Sequence, residues 1–115
     1  MARYTATFTV IADGERIYQI ACDLLDKSGF RPLHESRDYV MSSEVPGSVK
    51  FSLLTTAEVL IDVERDRSAA TLILLVKNEE LPLSKVNHCK TTFDRLQSEI
   101  LGCSSWKAIL KASAT

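Results

Sequence analysis

The segment from Val49 to Val76 constrains the fold more than any other part of this chain, because its hydrophobicity alternates with period two, reverses once and continues. The positions of one strand face before the reversal all have odd numbers: Phe51, Leu53, Thr55, Ala57, Val59, Ile61 and Val63. This alternation is typical of a half-buried antiparallel strand. Arg65–Ser68 then predicts a turn, and the β-rich run Ala69–Val76 predicts a returning strand that is covered on both faces.

The N-terminal part of the chain predicts a strand followed by an amphipathic helix. Apolar and polar side chains alternate from Tyr4 to Val10, which is typical of a strand. Asp13 is well placed to cap the following helix, and Gly29 is well placed to end it in a left-handed turn. The expected apolar side of this helix consists of Ile17, Ile20, Ala21, Leu24, Leu25 and Ser28.

The remaining segments predict further strands and a second helix. Residues 30–45 fit one or two strands with Arg37-Asp38 as the turn, and Pro46-Gly47 is typical of a type II turn. Ser84 is expected to cap a helix that reaches about Leu101 and ends at Gly102. Its expected apolar seam consists of Val86, Cys89, Phe93, Leu96 and Ile100.

These elements predict an α+β fold of the order β-α-β(3-4)-α, in which two helices pack on one face of an antiparallel sheet of four to five strands. With five strands, the first two lie at opposite edges and the first pairs antiparallel with the last. The length of 115 residues fits one domain over residues 1–102. A short C-terminal helical turn and a frayed tail are expected over residues 103–115.

Two resemblances accompany this order of elements. Over Ala2–Leu101 the layout resembles the helix-grip or TATA-binding-protein-like β-α-β(4)-α domains, which START-like and other small ligand-binding domains elaborate. Asn78–Leu83 running into Asn87–Cys89, together with Asp38-Tyr39 before Pro46-Gly47, resembles a family of conserved cyanobacterial proteins of unassigned function. That resemblance implies a cytosolic bacterial protein and supplies no catalytic residue.

Charge and cysteine content disfavour several classes of function. The 14 basic and 15 acidic residues give a net charge of -1 and are spread along the chain, so no footprint for nucleic acid or an anionic membrane is expected. The first residues lack the continuous apolar core of a signal peptide, and no later apolar run is long enough to span a bilayer. Both observations predict a cytoplasmic protein. Cys22, Cys89 and Cys103 are odd in number and widely spaced, which favours reduced thiols over disulfides or a metal site. We predict no cofactor.

The pair His88-Cys89 is the first candidate for catalysis, because a thiol beside an imidazole can act as a nucleophile with its base. Neighbours on a helix point about 100° apart, so Cys89 is expected in the apolar seam and His88 toward Arg95 and solvent. The adjacent acids Glu79 and Glu80 are expected to face water. The sequence also lacks a nucleophile elbow and a phosphate-binding loop. We therefore predict no catalytic residue.

The sequence favours a small non-catalytic binding or assembly module, although it does not by itself identify an activity. Ile11, Leu54, Leu60, Ile73 and Leu75 are expected on the threonine-rich face of the sheet. This face is either solvated or contacts a protein partner or a second copy of the chain. It has too few basic and aromatic residues for RNA binding.

A second hypothesis is a helix-grip domain that binds a small apolar ligand between the sheet and Phe93, Leu96 and Ile100 of the last helix. Pockets for organic ligands hold roughly 300 Å³ or more, whereas a tightly packed core leaves almost none. Trp106, expected to lie with Ile109 and Leu110, either folds onto the core or docks a partner. The candidate ligand or partner residues are therefore Leu54, Leu60, Phe93, Leu96 and Trp106.

Overall fold

Every described strand joins one antiparallel sheet. The computed structural model describes residues 1–47, 50, 53–80 and 87–114. Its elements are β1 (Ala2–Ile11), α1 (Gly14–Lys27), β2 (Phe30–Ser36), β3 (Tyr39–Glu44), β4 (Thr56–Val63), β5 (Ala69–Asn78), α2 (His88–Gly102) and β6 (Lys107–Ala114). The strand order is β2-β3-β4-β5-β1-β6. The class is therefore α+β, and the expected antiparallel pairing of β1 with β5 is confirmed.

The sheet has six strands, so the expected four to five is too few. The additional strand is β6, which pairs antiparallel with β1 and places Ile109 opposite Thr9 and Lys107 opposite Ile11. A helical turn was the wrong prediction for this segment. The free edge of β1 offers backbone N–H and C=O groups that require partners, and pairing with β6 outweighs the local helical preference of its alanines and lysines.

The ends of the two helices follow local chemistry. Asp13 caps α1 by accepting the N–H of Glu15 at 3.1 Å, and Gly29 follows the helix with φ +86°, as expected. In α2 the cap is Asn87, whose side chain accepts the N–H of Lys90 at 2.9 Å. The two residues expected near the start of this helix, Ser84 and Val86, lie outside the described residues.

The long hairpin forms as expected around its turn. The N–H of Glu64 donates to the carbonyl of Ala69 at 2.9 Å, and Arg67 within the turn has φ +57°. β5 alternates between buried and half-buried side chains and is not covered on both faces. β4 begins only at Thr56. Val49, Phe51 and Ser52, which belonged to the expected strand or its start, lie outside the described residues.

Residues 30–44 form two strands, β2 and β3, with Arg37 and Asp38 in the turn between them. Pro46 and Gly47 form the next turn, and Gly47 has φ +125°. This positive φ is the reason for glycine there, since side chains with a Cβ rarely adopt it.

The core lies on one face of the sheet, where both helices pack. Alternate residues of β1, β4 and β5 point into it, together with one side of each helix. Its largest fully buried side chains include Phe8, Ile17, Phe30, Leu72, Leu74, Phe93 and Leu96. Neither described helix combines the length and the apolar character needed to cross a membrane.

Candidate functional site

The second face of the sheet, opposite the core, is packed by neither α1 nor α2. We call it the open face; it consists of the residues of β1, β3, β4 and β5 that alternate with the core positions. They are Arg3, Thr5, Thr7, Thr9, Ile11, Tyr39, Met41, Ser43, Thr56, Glu58, Leu60, Asp62, Thr71, Ile73, Leu75 and Lys77. All of them are half-buried or exposed. Period-two alternation in the sequence puts these side chains on one surface.

The centre of the open face is apolar. The strand register places Leu60 opposite Ile73, and Ile73 opposite Thr7. Leu75 lies two residues further along β5, in the next row. The side chain of Leu60 is 42% exposed and borders an open depression of about 420 Å³ that Tyr39 also lines. Three large aliphatic residues therefore occupy neighbouring positions on a surface that both helices leave uncovered.

An ion pair lies beside this apolar centre. The Nζ of Lys77 is 3.1 Å from the Oε2 of Glu58, and the hydroxyl of Tyr39 donates to Oε1. Burial raises the pKa of Glu58, but the hydrogen bonds from Tyr39 and Lys77 outweigh burial and hold its pKa below the ordinary value. The hydrogen bond that Tyr39 donates to Glu58, together with burial, raises the pKa of Tyr39 to about 12. Glu58 is therefore ionised at neutral pH and partnered within the chain.

Leu54 does not join the centre of the open face. It precedes β4 and lines a groove of about 350 Å³ at the end of the sheet, together with Arg31, Leu33 and Val45. Period-two alternation predicts the face of a residue only within a strand. It holds for Leu60 but not for Leu54, because Leu53, Leu54 and Thr55 are not in a strand. Of the three leucines expected on this face, Leu60 and Leu75 reach its centre and Leu54 does not.

Phe93 and Leu96 are core residues. Their side chains are 1% and 0% exposed, and the Phe93 ring stacks on Tyr4 with 5.6 Å between centroids. Among the described residues, the space between the sheet and the helices beside Leu96 and Ile100 amounts to about 10 Å³. That volume holds at most about one water molecule. In this structure Phe93 and Leu96 are packed in the core.

Trp106 also belongs to the core. It is 7% exposed, and its indole N–H donates to the carbonyl of Ile100 at 2.8 Å. Ile109 and Leu110 are 44% and 37% exposed on β6, so the expected cluster of the three does not form. Strand geometry turns residues 109 and 110 to opposite faces of the sheet.

His88 contacts a buried carboxylate instead of pointing toward Arg95 and solvent. Its Nε2 lies 2.8 and 2.9 Å from the two carboxylate oxygens of Glu44. Glu44 also accepts the N–H and the hydroxyl of Thr55, both at 3.1 Å. This contact joins the end of β3 to the start of α2. No sequence pattern predicts this contact, because Glu44 and His88 are far apart along the chain.

The prediction that Glu80 faces water is wrong, because its side chain is buried. Its carboxylate accepts the N–H of His88 at 3.1 Å, the N–H of Cys89 at 2.8 Å and the side-chain amide of Asn78 at 2.6 Å. The first N–H groups of a helix have no partner within the helix, and a carboxylate satisfies them well. Burial raises the pKa of Glu80, but these hydrogen bonds outweigh burial and lower it. Glu80 therefore acts as a second cap of α2.

Cys89 lies in the apolar seam, as expected. Its side chain is fully buried, with the thiol 3.8 Å from the carbonyl of Ala2. Burial, with the nearby charge of Glu80, raises the pKa of the thiol to about 12. The imidazole of His88 faces Glu44, so the two side chains do not form a nucleophile and its base.

The described part of the chain contains no group of three or more histidine, cysteine, aspartate or glutamate residues arranged to hold a metal ion. No protein-family model matches the chain, and comparison with curated proteins gives no significant match. Function is therefore inferred from the geometry of the open face.

Proposed function

We propose that the protein is a small non-catalytic binding or assembly module that receives a protein partner on the open face of its sheet. The observation that carries this proposal is that Leu60, Ile73 and Leu75 occupy neighbouring positions at the centre of that face. A sheet face that serves only as solvated surface usually carries polar side chains at such positions. Adjacent aliphatic side chains with a polar surround are typical of a protein interface.

The surround of the apolar centre also suits a protein partner. Thr5, Thr7 and Thr9 on β1 offer short hydroxyl side chains that lose little conformational entropy on contact. Exposed charges, Arg3 and Asp62, lie toward the margins. An interface with an apolar core and a polar rim is the usual arrangement in protein complexes.

The second hypothesis, an apolar ligand held between the sheet and α2, is favoured less. The space of about 10 Å³ beside Leu96 is far below the roughly 300 Å³ of organic-ligand pockets. A ligand there would have to displace packed core side chains, and overpacking of a core is destabilising.

We place the module in the cytoplasm. Its three cysteines, Cys22, Cys89 and Cys103, are free thiols. Free thiols in a protein of this size suit a reducing compartment better than an oxidising one.

Native mass spectrometry of the full chain, purified gently from the cells that produce it, tests the proposal. The variant Leu60→Lys places a charge at the centre of the open face, and Leu101→Lys is its matched control on α2. The two leucines are 42% and 41% exposed, so the substitutions disturb folding to a similar degree. We expect the wild type and the control to carry a second protein subunit and Leu60→Lys to lose it. A complex that survives Leu60→Lys, or a bound small molecule in place of a protein, would overturn the proposal.

A further inference from the structure

We draw no further inference here: the strongest candidate, the apolar centre of the open face at Leu60, Ile73 and Leu75, carries none because nothing in the part of the chain that the structure describes shows what covers it.

Discussion

Replacing Trp106 by alanine tests whether the C-terminal strand belongs to the core in solution. The indole is 7% exposed and shares the small space beside Leu74, Leu96 and Ile100. An aromatic side chain of this size buries about 200 Å², and at about 25 cal/mol per Å² its removal costs up to about 5 kcal/mol. The unfolded chain already hides part of that area, so the expected loss of unfolding free energy is about 3–5 kcal/mol.

A loss of this size is a large part of the total stability, which is about 5–15 kcal/mol for a typical domain. The Tm is expected to fall by roughly 10–20 °C. Since Trp106 is the only tryptophan, far-UV circular dichroism in urea is the suitable assay. Ile109→Ala, on the same strand but 44% exposed, is the control and should change stability by no more than about 0.5 kcal/mol. A loss below about 1 kcal/mol for Trp106→Ala would refute the assignment of the indole to the core.

Three further predictions concern the start of α2. Asn87→Ala removes the side chain that accepts the N–H of Lys90 and should lower the unfolding free energy, measured by urea titration, by about 1 kcal/mol. An unchanged urea midpoint would contradict the role of Asn87 as a cap. The pKa of Glu80 is lowered in the folded protein, so the stability that Glu80 contributes is present above pH 4.5 and is lost as the pH falls through its folded pKa. In Glu80→Gln the unfolding free energy should therefore fall less steeply with acid than in the wild type. Equal pH dependence of the unfolding free energy in the two proteins would contradict this role. In native protein a thiol reagent should modify half-buried Cys103 well before Cys89, whose pKa is raised to about 12; equal rates would contradict the burial of Cys89.

Features set by local chemistry were predictable from the sequence. The cap Asp13 and the left-handed Gly29 depend on a few neighbouring residues, and both are confirmed. The turn at Arg37 and the apolar seam around Phe93 follow from short-range turn preference and from helical period. Alternation holds within a strand, so it predicts the correct face for Leu60. It does not predict the position of Leu54, because Leu54 precedes the strand.

Features set by distant contacts were not predictable. The segment Lys107–Ala114 has no strong period of its own, and it forms a strand because β1 offers an unpaired edge. Glu44 and His88 meet only after β3 and α2 have packed, and Glu80 is buried because it satisfies the free N–H groups of α2. The resemblances to helix-grip domains and to a cyanobacterial family remain predictions.

Methyl NMR with a soluble paramagnetic agent tests most directly whether the open face is the binding surface. The methyl groups of Leu60, Ile73 and Leu75 report on that face, and those of Leu101 on α2 report on an exposed leucine on the other side of the sheet. When the protein assembles, we expect the first group to become protected from paramagnetic relaxation and the second to stay accessible. Protection of Leu101 with Leu60, Ile73 and Leu75 still accessible would contradict the account.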